Sequence, residues 1–303
     1  MISPRWLRMC APILALAVCL PLLAACGAAG TSNTTLRVGT KDFTEEYIVG
    51  EMYRLLLQDA GFKVELKRNL PTPAAQTAME SKELDLYPEY TGTGLVTVLK
   101  LPPSSARTAV YDAVSKGYKD KYNFAWLDPA PMNNTNAFAM TKAKSDQFGV
   151  KTLSDMVAKA DQLTMIGPAE CPEREDCIKG LKTAYGNFQL KNYIPADAGL
   201  RYPGLINGQA DVVVAFSTDG QIAQYSLVVL KDDKNFFPVY QLAPVVRQEV
   251  LDKNPKIKDA LNKLAPKLTD ETMQRLNNEV DGNKKEPADV AKQFLQDQGL
   301  IKK

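Results

Sequence analysis

Leu36-Arg37-Val38-Gly39-Thr40 is a short strand signal, and the residues after it decide the class of fold. Asp42-x-x-Glu45 makes a cap-like start, Ile48, Met52, Leu55 and Leu56 fall at helical spacing, and Gly61 closes the segment. Phe62 to Leu70 alternates as a second strand. Thr72-Pro73 then opens a helix that runs to about Lys82, with Thr72 as cap and Pro at the first helical position. Leu84-Asp85-Leu86-Tyr87 returns as a strand. The order is βαβαβ, which predicts a mostly parallel sheet flanked by helices.

A second set of the same kind lies between about residues 136 and 240. Strands are predicted at Asn136 to Met140, Leu163 to Gly167, Ala210 to Phe216 and Leu227 to Leu230, with helices near 152–160 and 174–186. After Pro244 the chain reads as helical, near 256–265, 269–280 and 287–298. The expectation is an α/β protein of two lobes, residues 36–135 plus 242–303 and residues 136–241. Two crossings, near 134–137 and 240–244, would form the hinge.

Composition removes several classes of function. The 303 residues include no histidine, so Ser-His-Asp or Cys-His catalysis and His-ligated zinc or haem are impossible for this chain alone. Lys and Arg total 37 against 35 acidic residues, too even a balance for a nucleic-acid binder. Arg5 and Arg8 account for that whole excess. They precede an apolar run from Met9 to Ala25, which reads as a secretory signal over residues 1–25, too short and wrongly flanked for a membrane anchor.

The five cysteines sort by position. Cys10 and Cys19 leave with the signal, and Leu23-Ala24-Ala25-Cys26 resembles a bacterial lipobox, making Cys26 an acylation site followed by a polar tether over residues 26–35. An ordinary cleaved signal with a chance cysteine is the plainer alternative. Cys171 and Cys177 remain, and in an exported, oxidising setting a disulfide is the default, a two-Cys metal site being a poor alternative.

The chemistry-bearing motifs are weak one at a time. Gly39-Thr40-Lys41 and Thr91-Gly92-Thr93-Gly94 sit at strand-to-helix turns where backbone N–H groups can hold an anion, although the spacing of a P-loop is absent and a plain turn is the usual reading. Tyr87, Tyr90, Phe216 and Tyr240 lie at or near strand ends, where aromatic rings of a doubly wound domain face a cleft as readily as a core. A cluster of rings suits a quaternary ammonium, which has no N–H to donate and is held by ring quadrupoles at roughly 0.5–2 kcal/mol per contact.

Longer stretches carry a resemblance. Val38-Gly39-Thr40-Lys41-Asp42-Phe43-Thr44-Glu45, Leu84-Asp85-Leu86-Tyr87-Pro88-Glu89-Tyr90-Thr91-Gly92-Thr93, Asn133-Asn134-Thr135, Ala215-Phe216-Ser217-Thr218-Asp219-Gly220, Val228 to Asp233 and Ala243-Pro244-Val245-Val246 run in order along nearly the whole exported chain. Together they resemble the substrate-binding proteins of osmoprotectant ABC transporters, which take glycine betaine, carnitine, choline and related quaternary amines. The resemblance implies a two-lobed periplasmic-binding-protein fold that closes on its ligand, works as a monomer with permease and ATPase subunits, and needs no cofactor. By position, Tyr90, Phe216 and Tyr240 match the family's aromatic cage, and Lys41, Thr93 and Arg174 match groups that bind the ligand carboxylate.

Two positions depart from the family pattern. Asn136 stands where Tyr is common after Asn-Asn-Thr, and Phe216 replaces the usual Tyr before Ser-Thr-Asp. Phe216 keeps its π face. Asn136 removes a cage wall and brings a donor and an acceptor, which points to a betaine with more polar atoms than glycine betaine, such as carnitine or ergothioneine. Competing readings are an extracytoplasmic enzyme using Asp85, Glu89 or Asp219, although no G-x-S-x-G nucleophile motif is present, and a sensory lipoprotein on the same fold.

Overall fold

The computed structural model describes residues 35–302. The lipidation expected at Cys26 and the signal over residues 1–25 lie outside the described residues. In chain order the elements begin β1 (Thr35–Gly39), α1 (Thr44–Asp59), β2 (Lys63–Lys67), α2 (Thr72–Glu80) and β3 (Leu86–Tyr90). A short turn α3 (Thr91–Thr93) widens into a π-helical turn at Gly94–Val98, and α4 (Arg107–Tyr122) and β4 (Phe124–Trp126) follow. The next group is β5 (Asn136–Met140), α5 (Lys142–Phe148), α6 (Leu153–Ala158), β6 (Thr164–Gly167), α7 (Ile178–Tyr185), β7 (Asn192–Pro195), α8 (Ala198–Ile206), β8 (Val212–Phe216), α9 (Gly220–Gln224) and β9 (Val228–Val229). The chain ends with β10 (Leu242–Arg247), α10 (Gln248–Lys253), α11 (Lys256–Asn262), α12 (Asp270–Asp281) and α13 (Pro287–Asp297).

The strands form two five-stranded sheets, ordered β2-β1-β3-β10-β4 and β7-β6-β8-β5-β9. In the first, β1 runs parallel to β2 and β3, while β10 is antiparallel to both β3 and β4. In the second, β6 is parallel to β7 and β8, while β5 is antiparallel to β8 and β9. Each sheet is therefore mostly parallel with one reversed strand. The reversed strand is in each case the one the chain enters directly after crossing from the other sheet.

Helix α1 shows why the first layer packs. Ile48, Val49, Met52, Tyr53, Leu56 and Leu57 are buried, a two-residue-wide stripe repeating at helical period. They share one cluster with Leu36 and Val38 of β1 and with Ile257, Leu261, Met273, Leu276 and Phe294 from the C-terminal helices. The second sheet has its own core, with Phe138, Met140, Met165, Val212 and Val214 packed on Met156, Ile178 and Leu181.

Several local expectations shift. The cap of α1 is Phe43, in extended conformation and without a side-chain bond, so Asp42 does not cap; Pro71, not Thr72, caps α2. Strand β3 begins later than expected and runs through Pro88, which stands opposite Pro244. β1 pairs with β3 only at Val38↔Leu86, so Pro88 lies where a missing N–H costs no ladder bond. Residues 242–247, read as the approach to helices, are a fully buried central strand. Strands β4 and β7 and helices α4, α5, α8, α9 and α10 add to the elements read from sequence.

Candidate functional site

Strand direction places the site. The parallel strands end at Gly39, Lys67, Tyr90, Gly167, Pro195 and Phe216, and the reversed strands begin at Asn136 and Leu242. Ligands of open α/β sheets bind beyond the carboxyl ends of strands. A cavity of about 240 Å³ lies there, a little under the usual range of about 300–1,000 Å³ for drug-sized ligands and so scaled to a small metabolite. Its lining includes Lys41, Tyr90, Thr93, Asn136, Arg174, Phe216 and Tyr240, all seven positions singled out from sequence.

The wall on the side of the first sheet is built on buried carboxyl groups. Lys41 Nζ is ion-paired with Glu89, whose Oε1 also accepts the Tyr90 backbone N–H at 2.6 Å. The Tyr90 hydroxyl donates to Glu45 Oε1 at 2.6 Å, and Asn134 Nδ2 donates to the same oxygen at 2.8 Å. Asn277 Nδ2 donates to Glu45 Oε2 at 3.0 Å and to the Thr218 carbonyl at 2.8 Å, which ties α1, α12 and the turn after β8 together. Burial raises the Glu45 carboxyl in spite of these donors, and pushes Glu46 up to about 8 against the pull of Lys41. The Gly39-Thr40-Lys41 turn is not an anion cradle: Thr40 N–H donates to the Lys67 carbonyl at 2.9 Å and Lys41 N–H to Glu46 Oε2 at 3.1 Å.

The opposite wall comes from two loops. Cys171 and Cys177 are joined in a disulfide, with Cα atoms 5.3 Å apart, and the small ring they close carries Arg174 and Asp176. Arg174 donates two-pronged to Asp176, Nε to Oδ1 at 2.7 Å and Nη2 to Oδ2 at 2.6 Å. Burial disfavours both charges, yet the pairing wins, holding the Asp176 carboxyl low and the Arg174 guanidinium high. Tyr240 donates its hydroxyl to Asp176 Oδ2 at 2.9 Å. Asn136 Nδ2 donates to the Asp176 carbonyl at 2.9 Å and to the Tyr240 hydroxyl at 2.8 Å, so its side-chain carbonyl is the end left for other partners.

The rings meet in the middle. Asn136 and Phe216 are directly opposite in the β5–β8 register and so share a face. Phe43 lies 5.6 Å from Phe216 and 6.1 Å from Tyr90, centroid to centroid. Gly92 is required for the position of Tyr240, because a Cβ there would come within 2.7 Å of the Tyr240 ring. Tyr87 lies elsewhere: its hydroxyl donates to Glu89 Oε2 at 3.3 Å and its ring packs in the core between α2 and α4.

Residues 34–297 match OpuAC, the substrate-binding domain of ABC-type glycine betaine transport systems. The chain belongs to the OpuAC family. As an OpuAC protein it is a binding component of a transport system and not an enzyme. The carnitine transport binding protein OpuCC of Listeria monocytogenes is 37% identical over 274 residues, 89% of each chain. The ergothioneine transport permease/ergothioneine binding protein EgtU of Helicobacter pylori is 36% identical over 267 residues, covering 88% of this chain and 48% of that one. A solved glycine betaine/carnitine/choline ABC transporter structure superposes with a TM-score of 0.69 at 34% identity, covering 88% of this chain and 99% of the other.

The carboxylates considered for acid/base work do not converge in this OpuAC chain. Asp85 is clamped by Arg37 and Arg247 away from the cavity, Glu89 is the partner of Lys41, and Asp219 Oδ2 accepts from Phe216 N–H and the Tyr202 hydroxyl. Sequence reading missed Phe43 and Arg201, which also line the cavity. Phe43 belonged to a motif already noted, next to Lys41. Arg201 sat on a helix that Pro203 and Gly204 concealed.

Proposed function

We propose that this protein is the lipid-anchored, extracytoplasmic receptor of an ABC importer that captures a quaternary-ammonium zwitterion, either glycine betaine, carnitine or a related betaine such as ergothioneine. The observation that carries the proposal is the cavity itself, where Tyr90, Phe216 and Tyr240, joined by Phe43, adjoin Lys41, Thr93, Asn136 and Arg174. The rings form an aromatic cage for the alkylated cation, which offers no N–H for hydrogen bonding. Lys41 and Arg174 are held by Glu89 and Asp176 and use their remaining N–H groups, with the Thr93 hydroxyl, for the carboxylate. The side-chain carbonyl of Asn136 accepts from a ligand hydroxyl or ring N–H, which favours carnitine or ergothioneine over glycine betaine.

In this reading residues 36–135 plus 242–303 close against residues 136–241 and present the loaded face to a permease, the protein acting as a monomer without cofactor. Acylation at Cys26 supplies the membrane attachment, and no helix among the described residues is long and apolar enough to cross a membrane. Mass spectrometry of the small molecule that co-purifies, followed by calorimetry with glycine betaine, carnitine, ergothioneine and choline, tests the ligand class. Choline binding as tightly as the betaines would overturn it. Incorporation of labelled palmitate, abolished in Cys26→Ser, tests the anchor.

A further inference from the structure

Three cations line the cavity together with the carboxylates Asp42, Glu170 and Asp197, and two of the cations are ion-paired: Lys41 with Glu89 and Arg174 with Asp176. The third is Arg201 on α8, only 3% exposed. Its Nη1 donates to the Val214 carbonyl at 2.9 Å, its Nε has no acceptor, and among the described residues no carboxylate lies within ion-pair distance. Asp219 is electrostatically coupled to it but forms no ion pair with it: its Oδ2 accepts from the Tyr202 hydroxyl and the Phe216 N–H, and burial raises that carboxyl while Arg201 and these two donors oppose the rise. A desolvated guanidinium without a counter-charge is unfavourable, and the cavity it lines is where an anion can reach it. Its guanidinium carbon also lies 5.1 Å from the Phe216 ring centroid.

We propose that Arg201 is the specificity-determining residue of this site: its guanidinium takes the anionic group of the ligand beside the Phe216 ring that faces the cationic group. The proposal rests on the betaine reading above and deepens it. Lys41 and Arg174, already neutralised, supply hydrogen bonds without net charge, so the preference for a zwitterion over a simple cation resides in Arg201. A lone cation such as choline would place a second positive charge at the ring Arg201 already occupies and bring no anionic group of its own to pair with the guanidinium.

Calorimetry with carnitine, glycine betaine and choline on the wild type and on Arg201→Gln tests this. The carboxylated ligands should lose about 30-fold or more in affinity while choline changes by less than about 3-fold, so the preference collapses. Equal loss for all three, or no loss, overturns the proposal while the betaine reading stands; a wild type that binds neither these three nor ergothioneine overturns both. Arg201→Met gives a second readout. Removing a buried charge without a counter-charge should leave the ligand-free melting temperature unchanged or higher, and abolish the thermal shift that carnitine gives the wild type. A carnitine shift as large as that of the wild type overturns the proposal.

Discussion

The two walls of the cavity are held in place by different physics. On the side of the first sheet, Lys41 and Phe43 sit in the turn between β1 and α1 and Tyr90 ends β3, and Glu45, Glu46 and Glu89 are buried. On the side of the second sheet, Arg174 and Asp176 ride on a loop closed by a disulfide, and Arg201 on a helix that follows an edge strand. One wall is fixed by desolvated carboxyl groups and so depends on protons. The other sets its buried carboxylate, Asp176, against Arg174 inside a covalently closed ring, and so depends on redox state as well.

The largest way to break this contrast is through Glu46. Burial is the main cause of its rise to about 8, with Lys41 opposing and Glu89 adding. A carboxyl whose folded pKa is raised holds its proton longer in the folded state, so its contribution is fully present below the unfolded value near 4.3 and is lost as pH rises through about 8. Urea unfolding should show this group costing the wild type roughly 4 kcal/mol between pH 5 and pH 9, and Glu46→Gln should remove that slope. Parallel curves for the two proteins would end the argument.

Tyr240 touches both walls, through Asp176 and through Gly92. Tyr240→Ala should weaken betaine binding by about 100-fold or more, measured by calorimetry, with the circular dichroism spectrum retained. Reduction of the disulfide, or Cys171→Ser with Cys177→Ser, removes a ring of sequence separation 6 and should cost about 2 kcal/mol of unfolding free energy, leaving the Glu46 pH slope as it was. A changed slope would mean that the walls are not independent. Gly220→Ala is the smallest effect: its Cβ would fall 2.7 Å from the Asn278 backbone nitrogen, where α9 meets α12. A destabilisation of the lobe contact by about 1 kcal/mol is expected, seen as a larger radius of gyration in small-angle scattering with ligand present.

The first lobe was more legible from sequence than the second, and the reason is visible in single elements. β1, α1, β2, α2 and β3 follow one another with clean period-2 and helical spacing. β10 carries Pro244 inside Leu242–Arg247 and so read as a break, yet its partner there is another proline, and the Pro244 carbonyl still accepts from Leu127 N–H at 2.9 Å. β7 is a half-exposed edge strand with too few apolar residues to signal. Within the site, seven of the lining residues were legible through a family pattern that places ring and charge at given points of the chain. Their partners were not. Glu45 with Asn277, and Asn136 with Tyr240, are 232 and 104 residues apart, and no local periodicity records such a meeting. Arg201 was invisible for a further reason, since a buried cation is defined by what surrounds it.

The chain passes between the two sheets twice among the described residues, and the two passages lie side by side: Asn134 N–H donates to the Tyr240 carbonyl at 3.1 Å and Tyr240 N–H to Asn133 Oδ1 at 2.7 Å. Any rotation of one sheet against the other must be absorbed as torsion in this pair of ribbons. On the function proposed above, Tyr240 would be both a contact surface for cargo and part of the axle on which the molecule turns. Cargo that fixed its ring would then also fix the twist of the axle, so the angle between the halves would become a mechanical record of occupancy that a partner could read without touching the ligand.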